Sequence, residues 1–140
     1  MAIAAIDLGK RRIGIAISND DDHGALPLDA IERRGLRTDL AATMRCLEGR
    51  GVSLIVVGLP LNMDGSRGPA ARAAEDFAAR LREFSGLPVE TCDERLSSVE
   101  AEERLRELPG RRGRRKERID ALAAAIILER WREGRRGARG

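Results

Sequence analysis

A chain of 140 residues has the length of one ordinary domain, enough for a single core but not for two. Hydrophobic residues at 42% exclude a disordered chain, and aromatics at 2%, with no Tyr, require an aliphatic core and argue against base stacking on an aromatic platform. The net charge is only +3, but 13 of the 26 Lys and Arg lie from Arg104 onward against five Asp and Glu, an asymmetry that suits a polyanionic partner or, more plainly, a solvated basic tail.

Residues 2–8 read as a short buried strand that ends in Asp7 and Gly9. Ile13, Ile15 and Ile17 alternate with Gly14, Ala16 and Ser18, a period-two strand with one narrow, small-residue face. The short gap between these strands fits a hairpin. After the polar turn 19–24, Ala25 to Ile31 predicts a third, weaker strand that Pro27 confines to an edge. Leu40, Met44 and Leu47 give Asp39 to Gly49 helical spacing. Ser53 to Val57 is a continuous β-branched run typical of a central parallel strand, broken at Gly58-Leu59-Pro60. A helix follows from Pro69 to about Phe84, then a strand from Leu87 to Cys92. Ser97 to Glu100 is a capping box opening a charged helix that ends near Leu108-Pro109-Gly110. Residues 109–116 lack hydrophobic periodicity and are expected to be mobile. The last helix is expected over about Glu117 to Glu133, leaving 134–140 as a frayed, disordered basic tail beyond a single domain of residues 1–133.

Three leading strands on short turns imply an antiparallel section, and the later alternation with helices implies parallel additions by right-handed crossovers. The fold class is therefore α/β with a mixed sheet. Cys46 and Cys92 look like small hydrophobes, and with one His they assemble no zinc site. No signal peptide or transmembrane run appears, so a cytoplasmic protein is the default.

Chemistry gathers where parallel strands end, the position of ligand sites in open α/β sheets. Asp7, the loop from Gly58 to Ser66 and Asp93-Glu94 all fall there. Asp120 joins them if the last helix packs across the sheet, since it shares a stripe with Ala123, Ala124, Ile127 and Trp131. Converging carboxylates repel unless a countercharge is present, and oxygen ligands alone select Mg2+ or Mn2+ over zinc. Plainer explanations stand beside each: Asp120 as a first-turn acid favoured by the helix dipole, and Asp93 and Glu94 as a solvated strand end paired with Arg95. Gly9 and Gly14 match no P-loop, because the turn leads to a strand. Asn62, Asp64 and Ser66 can reach a phosphate or its metal, and a turn with an N-cap explains Asp64 to Ser66 equally well.

Four segments together carry a resemblance: Asp7-Leu8-Gly9-Lys10-Arg11-Arg12-Ile13-Gly14, Val57-Gly58-Leu59-Pro60-Leu61-Asn62 through Ser66, Asp93-Glu94-Arg95-Leu96-Ser97, and Lys116 with Ile119-Asp120. In order and spacing they resemble the YqgF/RuvX family over nearly the whole chain. The resemblance implies a ribonuclease H-like fold, a five-stranded mixed sheet whose first three strands are antiparallel, flanked by helices. It also implies a bacterial nuclease associated with Holliday junction resolution and, with better support, with 5′-end maturation of precursor small-subunit (16S) ribosomal RNA. Carried over by motif, Asp7, Glu94 and Asp120 match the catalytic metal ligands, with Asp93 the rival of Glu94. Adjacent strand residues face opposite ways, so only one of the two is a primary ligand, and Glu94 is preferred. Many relatives of the wider resolvase group place an acid at the end of the fourth strand, where this chain has Val57-Gly58-Leu59-Pro60, so the fifth strand must supply the second ligand.

The leading expectation is thus a magnesium- or manganese-dependent endonuclease. Lys10, Arg11, Arg12, Asn62, Ser66, Arg95, Arg111, Arg112, Arg114, Arg115 and Lys116 would bind the nucleic acid, either precursor rRNA on ribosomal particles or branched DNA. An inactive binding module is the second reading, and an actin-like ATPase the third, disfavoured because such enzymes clamp nucleotide between two domains. A resolvase needs a dimer to cut symmetrically, and no exposed apolar surface for one is evident, so a monomer or weak homodimer acting on RNA is expected.

Overall fold

The computed structural model describes residues 2–18, 25–93 and 112–139. Five strands, β1 (Ala2–Leu8), β2 (Arg12–Ser18), β3 (Ala25–Glu32), β4 (Val52–Leu59) and β5 (Val89–Asp93), form one sheet in the order β3-β2-β1-β4-β5. The β1/β2 and β2/β3 pairs are antiparallel, and β1/β4 and β4/β5 are parallel, as the alternation of elements predicts. Helices α1 (Leu36–Leu47), α2 (Pro69–Ser85) and α3 (Arg112–Arg139) complete it. Among the described residues no helix is long and apolar enough to cross a membrane.

β3 lies at the edge, where a proline is tolerated, and its register shifts by one residue beside Pro27. β4 runs two residues further than expected, through Gly58 and Leu59, because parallel pairing with Cys92 and Asp93 holds the strand that a glycine alone would weaken. α2 begins with Pro69 in its first turn and ends at Gly86, whose φ of 72° is the left-handed cap that glycine adopts without strain. The capping-box helix expected at 97–108 lies outside the described residues.

α3 departs most from expectation. It spans Arg112–Arg139, so residues 112–116 and 134–139, expected to be mobile or frayed, continue the helix at both ends. Apolar periodicity marks only the turns that touch the sheet. Arg, Lys and Glu propagate a helix well once that middle is anchored, since nucleation is the costly step.

Alternation along each strand divides the core between the two faces. Ile6, Ile13, Ile15, Ile55, Val57 and Val89 face Leu40, Phe77, Ala78 and Leu81 of α1 and α2 in one continuous aliphatic cluster. On the other face Ala5 and Val56 meet Ile127 and Leu128 of α3, and Ala16 meets Ala124 and Ala125. β2 turns its large side chains to the first face and its small ones to the second, as the Gly14, Ala16, Ser18 alternation foretells.

Candidate active site

The small-residue face brings the distant acids together. Asp7 pairs directly with Gly14 across the antiparallel ladder, and opposed residues of such a pair project to the same face. A Cβ built on Gly14 would collide with the backbone carbonyl of Asp120. Only glycine lets α3 lie this close to β2, so Gly14 sets the position of Asp120. Asp7 shares its face with Ala5, which packs on α3, and is half-buried. Asp7 and Asp120 therefore flank one spot at the C-terminal end of β1, although 113 positions separate their numbers in the chain.

Arg12 is the third member. It has the parity of Gly14 and Ala16 and so faces α3, where its Nε–H donates to Oδ2 of Asp120 at 2.8 Å. The side chains are 20% and 26% exposed, so the pair sits at the rim, sheltered but reachable from solvent. A residue diagonal to another across an antiparallel pair stands ~7–8 Å away by Cα, and Arg12 has that relation to Asp7. One guanidinium thus shares a face with both carboxylates.

The turn that carries Arg12 is fixed from two sides. Gly9 N–H donates to the Arg12 carbonyl at 2.9 Å, closing the hairpin, and Arg33 Nη1 donates to the Gly9 carbonyl at 3.0 Å. Arg33 Nε in turn lies 3.6 Å from Oδ2 of Asp39, which is 1% exposed. The other Asp39 oxygen accepts from the Arg34 backbone N–H, so α1 is tied to the β1–β2 turn through this pair. Nothing in the sequence marks the link: Arg33 reads as a charged loop residue and Asp39 as a helix-start acid.

The remaining predicted residues scatter. Lys10 and Arg11 are exposed on the turn beside Arg12. Asn62 and Ser66 sit in the loop after β4 but bind each other: Asn62 Nδ2 donates to Ser66 Oγ at 2.9 Å, and Ser66 Oγ donates to Asp64 Oδ1. Asp93 shares a register position with Leu59, whose side chain joins the α1/α2 cluster, so strand parity places it on the face away from Asp7 and Asp120. Glu94, Arg95 and Arg111 lie outside the described residues. Arg112, Arg114, Arg115 and Lys116 occupy the first turns of α3, roughly 6–12 Å along the helix axis from Asp120 at 1.5 Å per residue. The basic run thereby lies at the same end of the helix as the acid.

Among the described residues no three acids, cysteines or histidines gather as a metal site. Asp7 and Asp120 supply carboxylate oxygens on one face, with a guanidinium beside them. Such a donor set fits a hard divalent cation in chemistry and in electrostatics, with a further acid needed to complete it. The cleft of about 570 Å³ between the C-terminal ends of α1 and α2, lined by Met44, Leu47, Phe84 and Leu87, borders the N-terminal end of β4 and has no part in this chemistry.

A family model described as RuvX, Holliday junction resolvase, matches residues 1–133. A protein of an Anaeromyxobacter species is 47% identical over 135 residues, covering 96% of this chain and 98% of its own. One from Chloroflexus aurantiacus is 46% identical over 134 residues, covering 96% of this chain and 88% of its own. Both bear the name "Putative pre-16S rRNA nuclease". Among solved structures, Thermus thermophilus RuvC in complex with a Holliday junction substrate superposes with a TM-score of 0.61 at 15% identity, over 95% of each chain. That likeness is one of fold, the ribonuclease H-like arrangement of a five-stranded mixed sheet with helices on both faces.

Proposed function

The chain belongs to the RuvX family, a family of nucleases, and from that premise we propose that it is a divalent-metal-dependent endonuclease that trims the 5′ end of precursor 16S rRNA. The observation that carries the proposal is the meeting of Asp7 and Asp120 on one face beside Arg12, at the end of a parallel strand. Glu94 is the third acid of the proposal, assigned on its motif. The opposite parity of Asp93 supports that choice.

In this reading Asp7, Glu94 and Asp120 hold Mg2+ or Mn2+. When bound, the cation stabilises the charge that builds on a phosphodiester during hydrolysis and aligns the reacting oxygens. The protein does the rest. Gly14 fixes Asp120 against β2, and the Arg33–Asp39 pair holds the β1–β2 turn. Lys10, Arg11 and the basic first turns of α3 attract and orient the phosphate backbone, whose charge dominates affinity for nucleic acid. Precursor rRNA is preferred as substrate because the relatives that align over nearly their whole length carry that name.

The test is cleavage by one preparation of a precursor 16S 5′ leader and of a four-way DNA junction, each with Mg2+ and with EDTA. The expected result is a Mg2+-dependent cut in the RNA. Asp7→Asn should reduce it by about 10²–10³-fold, the scale for losing a group that organises transition-state charge, while RNA binding persists. Cutting of the junction alone would move the assignment to a resolvase. Binding of both without a cut strand would make the protein a binding module.

A further inference from the structure

We propose that Arg12 is a resident countercharge that a divalent cation displaces from Asp120, so that the same guanidinium steadies the metal-free site and grips a phosphate in the loaded one. The proposal rests on the metal-dependent reading above and adds to it a role for a residue that the sequence marks only as a phosphate contact.

Two observations carry it. The Nε of Arg12 is 2.8 Å from Oδ2 of Asp120, a carboxylate that the reading above gives to the cation. Arg12 also stands diagonal to Asp7 on the same face, so its charge lies near both acids. Two carboxylates held on one face by a packed helix and a ladder repel each other, and the fold cannot relieve that by moving α3 away while Ala124, Ala125, Ile127 and Leu128 are buried against the sheet. A cation of the protein's own offsets the repulsion. The contact is made through one nitrogen and at the rim, which suits release: a pair that is 20% and 26% exposed separates without opening the core. Among the described residues Asp120 Oδ1 has no hydrogen-bond partner, so it offers an arriving ion a first foothold before Oδ2 is surrendered.

The exchange has a sign. A guanidinium beside the ligands repels the incoming ion, so removing it should tighten cation binding even as it weakens the metal-free protein. Positioning by Arg12, in contrast, would make the same variant bind more loosely. The experiment is calorimetric titration of the full chain with Mn2+, for wild type, Arg12→Gln, Arg12→Lys and Asp7→Asn, with a thermal melt of each with and without Mn2+. Arg12→Gln should bind Mn2+ about tenfold tighter, the scale of repulsion between a divalent ion and a guanidinium a few ångströms away at water-like dielectric. Its metal-free midpoint should fall below that of wild type and its Mn2+-induced gain should exceed it. Arg12→Lys, which keeps the charge, should stay near wild type in affinity.

A measurement on unaltered protein covers the case in which Arg12→Gln fails to fold. The Arg12 Nε–H resonance should move on adding Mg2+ to wild type and stay still in Asp120→Asn. Unchanged or looser Mn2+ binding in Arg12→Gln, or an Arg12 resonance indifferent to Mg2+, overturns the exchange. If wild type takes up Mn2+ and Asp7→Asn does not, the nuclease reading survives that failure. If wild type takes up none, both fall.

Discussion

The two faces of the sheet are built on opposite principles. Towards α1 and α2 the strands present Ile6, Ile13, Ile15, Ile55 and Val57, and Phe77 and Leu81 fill the space between them. Towards α3, around the site, they present Gly14, Ala16 and Ala5, and the helix answers with Ala124 and Ala125, while Val56 meets Ile127 and Leu128 further along. Large side chains hold their layers apart and bury much apolar area, at about 1.5–3 kcal/mol for each large aliphatic side chain. Small ones bury less but let backbones approach. Stability and chemistry are thus housed separately: one face supplies cohesion, and the other trades cohesion for the closeness that brings Asp120 to Asp7.

The most direct test of that separation is to damage the first face alone. Phe77 is 2% exposed at the centre of the α2 interface, and among the described residues its cluster includes none of Asp7, Arg12, Gly14 and Asp120. Phe77→Ala should cost about 3–5 kcal/mol in urea unfolding. Whatever fraction remains folded should take up Mn2+ with wild-type affinity. A folded Phe77→Ala protein with weakened cation binding would show that the two faces are coupled.

Gly14→Ala tests the second face from within. The added methyl meets the Asp120 carbonyl, a backbone atom that cannot rotate aside, so the first turns of α3 must lift from β2. The stability loss should be about 1–3 kcal/mol, in the range for overpacking, smaller than that of Phe77→Ala. Cleavage and Mn2+ uptake should suffer more than stability does, because Asp120 moves with the helix. Equal Mn2+ affinity in Gly14→Ala and wild type would mean that Asp120 is not placed by this contact.

This division is partly legible in the amino-acid order. The period-two pattern from Ile13 to Ser18 distinguishes the two faces of β2 by residue size alone, and a lone acid after Ile3-Ala4-Ala5-Ile6 marks the strand end. Asp120 is found through its apolar stripe, of which Ala124, Ile127 and Trp131 lie on the sheet while Ala123 packs in a separate cluster. What stays hidden has physical causes. Helix ends beyond the sheet carry no apolar signal, so the 28 residues of α3 run past the stretch from Glu117 to Glu133 on propensity rather than pattern. The Arg12–Asp120 pair joins residues 108 positions apart, and nothing local in either segment announces a partner. The same holds for Arg33 and Gly9.

A milder effect separates two thiols, one on each face. Cys46 packs against the α1/α2 cluster and Cys92 against the α3 cluster, and the two form no disulfide. Burial pushes the Cys46 thiol up from its ordinary range, Asp29 adds to the rise, and Arg50 opposes it. A raised value in the folded state means the neutral thiol is the favoured form. Its contribution to stability is therefore intact below the pKa of the unfolded thiol and is lost as pH climbs through the folded one. Alkylation by iodoacetamide, followed site by site by mass spectrometry from about pH 7.5 to about pH 10, should show the Cys46 rate rising later than in an unfolded peptide of the same sequence. Coincident curves would mean that Cys46 is solvated and that the cohesive face is looser at α1 than its packing implies.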